Sequence, residues 1–483
     1  MSVKLTGLTG ALGLLCSWLG SLLPMQVACA ADRPHIVLIM VDDMGYGDPA
    51  CYNPQSKIRM PNIDGLAAQG MRFTDAHAAG PLCHMSRYGL LTGRYPFRTN
   101  VGRWPQHALI EPGQTTLASM LRHQGYHTAM VGKWHLGFEE QGYDQRLPGG
   151  PVDVGFESFF GIRASTDIPH YFYIRDAYAV NPPTRPIEAN NTPGWSPIQG
   201  AFWRAGLIAE DMQLEEVLPR FTAEALAVIE GHRQRAEEQP LFLYLAYPAP
   251  HTPWLPSEEF AGKSQAGMYG DFAEMVDAQI GQILSALDAA QMSQQTLFIF
   301  TSDNGPTWYE QDVERFAHDS AGGLRGMKAD AWEAGHRIPF IVRWPGRVAP
   351  RTVSSQLIGF TDVLATLASV TDYPRRAEEG PDGIDFSPAL LDQQFAQPLR
   401  QTWAMHSGSG FRVCRVGPWK LIDGLGSGGF SEPKRVEPQA GQPAVQLYHL
   451  GDDPTESHNL AAEQREKVKE LLAQMKAIEA EAH

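Results

Sequence analysis

His35-Ile36-Val37-Leu38-Ile39-Met40-Val41-Asp42-Asp43 runs from one histidine through six apolar residues into two aspartates. The run is continuous rather than alternating, so it reads as a strand buried on both faces, the habit of parallel strands in layered α/β folds. Four more runs share that character: His127–Val131, Leu241–Tyr247, Thr296–Thr301 and Ile338–Trp344. All five are read as parallel. Helical patterns lie between them, at Thr115–His123 and at Phe272–Leu287, where Phe272, Met275, Val276, Ile280, Ile283, Leu284 and Leu287 recur at helical spacing. Strand alternating with helix predicts an α/β fold, a large mixed, mostly parallel sheet sandwiched by helices.

Gly149–Gly200 is rich in proline, glycine and aromatic residues and is expected to form loops rimming a pocket. From about Gln356 the pattern changes. Short strand candidates at Phe411–Val416, Trp419–Ile422 and Gln446–Leu450 precede an apolar stripe at Val468, Leu471, Leu472, Met475 and Ile478. This predicts a smaller C-terminal antiparallel-sheet subdomain, residues 356–483, packed by a terminal helix, after a larger domain over residues 31–355.

Residues 1–30 read as a secretory signal peptide. Lys4 supplies the positive start, Leu8–Leu23 the apolar stretch and Ala28-Cys29-Ala30 a small-residue cleavage site. No other run approaches membrane-spanning length, so a periplasmic or secreted protein with no stable membrane insertion is expected. Of 5 cysteines, Cys16 and Cys29 fall in the signal, leaving Cys51, Cys83 and Cys414. Cys51 and Cys414 are either one disulfide, as an oxidising compartment allows, or two free thiols. The net charge of -15 becomes -16 without Lys4. Such an acidic chain argues against nucleic acid as a partner.

Four of the strands end in polar clusters: Asp42-Asp43, Gly132-Lys133-Trp134-His135, Pro250-His251-Thr252-Pro253 and Asp303-Asn304-Gly305. Ligands of α/β sheets bind outside the carboxyl ends of the strands, so chain direction alone brings these clusters to one edge. Asp42, Asp43, Asp303 and Asn304 form an all-oxygen set suited to a hard cation such as Ca²⁺. Read singly, Asp42-Asp43 is equally an acidic turn and Asn304-Gly305 a glycine turn. Lys133 and His135, two apart on an extended chain, would project to the same side as a cation and a base. His251 is stiffened by flanking prolines, and Lys328 lies in the glycine-rich segment Ala321–Lys328. Each of these also has a plain reading as a turn or surface residue. Trp104, Trp195 and Trp203 are candidate sugar platforms or core residues.

Cys83-His84-Met85-Ser86-Arg87-Tyr88-Gly89-Leu90-Leu91-Thr92-Gly93-Arg94 completes the set. A helix starting near Cys83 would put Arg87 on the same face and direct its N-terminal partial charge at a bound oxyanion. A buried structural cysteine is the alternative. This segment, Leu90–Thr99 (LLTGRYPFRT) and the tail from Leu447-Tyr448 through Asp452-Asp453-Pro454 to Asn459-Leu460 resemble the formylglycine-dependent sulfatases. The resemblance implies hydrolysis of an organic sulfate ester, expected on a carbohydrate or other sulfated small molecule. It implies that Cys83 is oxidised to formylglycine (3-oxoalanine) by a maturase. Ca²⁺ would be held by Asp42, Asp43, Asp303, Asn304 and residue 83. Arg87 would support the aldehyde hydrate, Lys133 and Lys328 bind sulfate, His135 stand beside the nucleophile and His251 beside the leaving group. The family's maturation signal reads Cys-x-Pro-x-Arg, and Met85 stands in the proline's place. If Met85 blocks maturation, a non-catalytic sulfated-glycan-binding protein is the alternative. A phosphate or phosphonate ester hydrolase is a third reading.

Overall fold

His35–Val41 forms the predicted strand, buried from Ile36 onward, and lies inside a ten-stranded sheet. The structure, a computed structural model, describes residues 1–3, 33–235, 239–391 and 397–481. Apart from its first three residues, the expected signal peptide lies outside the described residues, as do Cys16 and Cys29. His35–Val41 pairs in parallel with Thr296–Ser302 on one side and with Leu241–Ala246 on the other, and His127–Lys133 follows beyond the latter. All seven residues of Thr296–Ser302 and of His127–Lys133 are buried, as the continuous apolar runs require.

Two expectations about this sheet are corrected. Phe340–Arg343, within the run Ile338–Trp344, pairs antiparallel with Thr296–Ser302. A continuous apolar run reports burial on both faces and says nothing about direction. The connection from residue 303 to 339 stays at the carboxyl edge, so the next strand starts there and runs back. The segment Gly149–Gly200 is more than loop, because Ser158–Ile162 joins the sheet in parallel with His127–Lys133. Ile174–Arg175 and Tyr178–Ala179 extend it further. The buried Phe159 and Phe160 drive that addition, and the surrounding prolines and glycines mask it in composition.

The helices form two packed groups, as a sheet covered on both sides needs. Val217–Arg233 and Pro61–Gln69 each contact Gly267–Ala289, while Cys83–Thr92, Leu117–His123 and Thr361–Val370 contact one another. Toward the C-terminus, Thr402–His406, Arg412–Val416, Trp419–Asp423 and Gln446–His449 make a separate antiparallel sheet. Its first strand is additional to the three expected, since Ala404 and Met405 carry little strand preference. The helix Arg465–Ala480 packs on this sheet through Leu471, Met475 and Ile478.

A buried polar network joins the two parts. His77 Nδ1 meets His336 Nδ1 at 2.9 Å and His77 Nε2 meets Asp75 at 2.8 Å. From the C-terminal sheet, Arg415 reaches Asp75 at 2.7 Å and Lys420 reaches Glu333 at 2.9 Å and Glu456 at 2.8 Å. Cys51 and Cys414 are both free thiols, so the disulfide alternative is not realised. Cys51 packs against the core of the large sheet and Cys414 sits in the core of the small one. Among the described residues, no helix is long and apolar enough to cross a membrane.

Candidate active site

The carboxyl ends of four neighbouring strands deliver the polar clusters to one place, and the helix Cys83–Thr92 presents its first turn to them. Asp43 sits at φ 62, a left-handed conformation that aspartate tolerates better than most residues, and this turns the chain sharply after Val41. Gly305 lets the Asn304 turn press against the loop before Phe340. A Cβ there would lie 1.6 Å from the carbonyl oxygen of Ala334.

Three carboxylates and three cations interlock at the centre. Arg87 donates to Asp303 at 2.8 and 3.1 Å, to Asp42 at 3.0 Å and to the Lys133 carbonyl at 2.9 Å. Lys133 donates to Asp42, and Lys328 to Asp43 at 2.6 Å. Lys328 also lies 3.4 Å from the Cys83 sulfur, which itself approaches Asp42 at 3.5 Å. Buried charges persist only when paired in this way. Burial pushes the Asp42 carboxyl up, but Lys133, His251, Arg87 and Lys328 outweigh it and hold the group well below the usual carboxylate range. Asp303 is raised by burial and by the charge of Asp42. Burial, with Asp303 and Asp42 nearby, also raises the Cys83 thiol far above its ordinary value. Unmodified, this sulfur stays protonated and is a poor nucleophile.

The donor set fits a hard cation. Ligand atoms of Asp42, Asp43, Cys83 and His251 all lie within 4.8 Å of one another. Asp303 Oδ1 accepts from the Asp43 backbone N–H at 3.2 Å. Asn304 donates its amide N–H to Asp43 at 2.7 Å, while its Oδ1 is buried with no partner among the described residues. An orphaned buried carbonyl beside three carboxylates is the oxygen arrangement that calcium takes.

Every site position expected from the sequence is brought to this region, with two differences of geometry. Arg87 makes its hydrogen bonds to Asp42, Asp303 and the Lys133 carbonyl, and the cation in contact with Cys83 is Lys328. Lys133 and His135 do not project side by side, because the chain is not extended there: Gly132 has φ 118 and His135 φ 59. Lys133 turns in to Asp42, whereas the His135 ring stacks on Trp104 at 4.3 Å, and His84 lies parallel to both, 5.4 Å from Trp104 and 6.3 Å from His135. Burial and the Lys133 charge push His135 well below its ordinary value, and the same causes bring His84 down to about 4. His251 Nε2 lies 3.6 Å from Asp43 Oδ2, and its Nδ1 meets the Thr252 carbonyl at 2.6 Å.

Above Cys83 opens a cavity of about 210 Å³. Its lining adds residues that sequence reasoning missed: His84, Ser165, Asp167, Arg204 and Thr307. Thr307 donates to Asp43 at 3.2 Å and Ser165 meets His135 at 3.4 Å. Apart from His84, in the helix Cys83–Thr92, these residues lie in loops without periodicity. The one available signal was the aromatic insertion itself. Of the three tryptophans only Trp104 lines the cavity, while Trp195 packs against Trp254 and Phe316.

The family profile described as Sulfatase matches residues 34–373. An N-acetylgalactosamine-6-O-sulfatase of Bacteroides thetaiotaomicron is 32% identical over 93% of this chain and 93% of its own. Human arylsulfatase A is 32% identical over 95% of this chain and 89% of its own. A solved structure from work on the metabolism of multiple glycosaminoglycans by Bacteroides thetaiotaomicron is 31% identical. It superposes with a TM-score of 0.82, covering 93% of this chain and 100% of that one.

Proposed function

The chain belongs to the sulfatase family, and from that premise we propose that this sulfuric ester hydrolase removes sulfate from a glycan or sugar sulfate with a formylglycine made from Cys83 and a bound Ca²⁺. The observation that carries the reading is the convergence of Cys83, Lys328 and Asp43 at the floor of one cavity, with Asp42 against the Cys83 sulfur. A formylglycine at position 83 would supply a hydrated aldehyde as the nucleophile, and the cation would withdraw charge from the sulfate oxygens.

The protein's own groups do the rest. Asp42, Asp43, Asp303 and the Asn304 side-chain carbonyl would hold the cation. Arg87 locks Asp42 and Asp303 in place from beneath. Lys133 and Lys328 bind sulfate oxygens and stabilise charge as it develops there. His251, with Nδ1 fixed by the Thr252 carbonyl, offers Nε2 to protonate the departing sugar oxygen, helped by Lys328. His135 is held neutral by burial and oriented by Trp104, so it accepts the proton that is released when sulfate is expelled. The chemistry lies in residues 31–355. Residues 356–483 form the supporting subdomain, whose helix Thr361–Val370 packs against Cys83–Thr92.

N-Acetylgalactosamine 6-sulfate is the first sugar substrate to try, on the strength of the Bacteroides relative. The signal-like residues 1–30 support a periplasmic or secreted enzyme that meets such glycans outside the cytoplasm. Paired aryl sulfate and aryl phosphate substrates test the bond cleaved. Preference for the phosphate, with the aldehyde verified at position 83, would overturn the reading.

A further inference from the structure

Two residues lining the cavity carry buried polar atoms with no hydrogen-bond partner among the described residues, Oδ1 of Asp167 and Nε1 of Trp104. Asp167 is only 4% exposed and lines the cavity together with Cys83, His251 and Lys328. Its carboxylate is anchored: Oδ2 takes the Arg204 guanidinium. Its backbone carbonyl accepts from the Arg204 N–H at 3.2 Å and from the Tyr171 hydroxyl at 3.1 Å. Oδ1 is thus fixed in position and left without a donor. A buried acceptor in that state is unfavourable in the free protein unless something supplies the missing hydrogen bond.

The position of Oδ1 says what that something is. It lies 4.0 Å from Nδ1 of His251, whose Nε2 faces Asp43 on the far side of the same ring. Asp167 and Asp43 thus stand at opposite nitrogens of one imidazole, so a ligand whose departing oxygen meets Nε2 brings its neighbouring groups to the Asp167 side of the cavity. Trp104 contributes a group of the opposite kind, since an indole N–H only donates. One fixed acceptor, one donor and a stacked aromatic wall are complementary to a hydroxylated ring and have no use for an aryl or steryl leaving group. The cavity of about 210 Å³ is smaller than the ~300–1,000 Å³ that encloses drug-sized ligands, and it admits one such ring.

We propose that Asp167, braced by Arg204, is a specificity-determining residue that accepts a hydrogen bond from a ring hydroxyl near the sulfated position of a single terminal sugar residue. The enzyme then works on chain ends or free sugars and not within chains. The assignment rests on the sulfatase reading above. It adds a recognition element outside the cation and sulfate-binding groups.

The test uses the full chain with the aldehyde verified. The substrates are N-acetylgalactosamine 6-sulfate, its monodeoxy analogues and an aryl sulfate. One monodeoxy analogue is expected to lose about ten- to hundredfold in kcat/KM with the wild type. Asp167→Ala should lose a similar factor on the parent sugar and nothing further on that analogue, because both changes delete the same bond. Asp167→Asn, which keeps an acceptor oxygen, should recover part of the loss, and the sugar-to-aryl ratio of kcat/KM should fall in both variants. Additive losses, or an equal fall on sugar and aryl substrates, would overturn the proposal in favour of Asp167 acting through His251 or through the fold. Turnover of the aryl sulfate but of no sulfated sugar would overturn it while leaving the sulfatase reading intact. Turnover of neither would remove both.

Discussion

Lys328 and Cys83 meet at the floor of the site, Nζ to Sγ 3.4 Å, while the same ammonium donates to Asp43 at 2.6 Å. A lysine from a glycine-rich loop thus faces the first residue of a helix that lies 245 positions earlier in the chain. Burial would lower its pKa, but Asp43, with the other nearby acidic groups, raises it well above the ordinary value. Lys328 is therefore a fixed cation through any assay range.

Replacing it tests that role. Lys328→Met should reduce kcat/KM about 10²–10³-fold, the usual cost of removing one charge-stabilising donor. Asp43 keeps its bonds from Asn304 and Thr307 but loses its paired cation in a buried site, so Tm should fall as well, and the activity is read below that Tm. A variant with near wild-type turnover would take Lys328 out of the chemistry.

Calcium should stabilise the fold as well as activity. A ligand that binds only the native state adds about 2.7 kcal/mol at a concentration one hundred times its Kd. Adding Ca²⁺ to chelated protein should raise Tm, and Asn304→Leu, which removes the unpartnered carbonyl, should shrink that rise. A Tm indifferent to both calcium and chelator would argue against the site.

Met85 should be compatible with both folding and maturation. The first hydrogen bond of its helix runs from Ser86 N–H to the Leu82 carbonyl at 3.0 Å, so the Met85 N–H has no helical acceptor to lose. Met85→Pro should fold at a packing cost of about 1–2 kcal/mol. Mass spectrometry of the tryptic peptide Phe73–Arg87 from native-host protein should show that residue 83 has lost sulfur and gained an aldehyde oxygen in both forms. An aldehyde in the proline variant alone would locate the block at Met85.

The network between the sheets should make stability fall in acid. Burial, aided by Arg337, lowers His77 from 6.5 to about 4, against the opposing pull of Asp75 and Glu333. His336, Arg415 and Lys420 complete the surrounding groups. The folded protein therefore refuses a proton that the unfolded chain binds. This contribution is fully present above pH 6.5 and is lost as pH falls toward 4, a change of about 3 kcal/mol. Tm should drop across that window, and His77→Gln should flatten the drop. Equal slopes in the two proteins would refute it.

Much of the fold was legible because the four parallel strands are continuous apolar runs, and their order of ending in Asp, Lys, His and Asn follows chain direction alone. The reversal at Phe340–Arg343 was not, since burial carries no sign of direction. Nor was the way Lys133 and His135 part, which depends on backbone angles at Gly132 and His135 that composition does not reveal. Asp167 and Arg204 stayed invisible for another reason. Nothing in an aperiodic insertion tells which acidic residue will be buried with one oxygen unpaired. Cys83, by contrast, could be singled out from its twelve-residue context, though its contact with Lys328 could not.

That contact has a consequence in time. Cys83 is covered by Asp42 from the first strand and by Lys328, and the latter belongs to a segment made long after residue 83 has left the ribosome. Once the loop from 303 to 339 closes over the helix, the sulfur is only 4% exposed as a residue. Pairings of such long range form late in folding. A protein that oxidised Cys83 would therefore reach it most easily on a nascent or newly exported chain. The order of synthesis, and not the finished molecule, would then set the interval open to that oxidation.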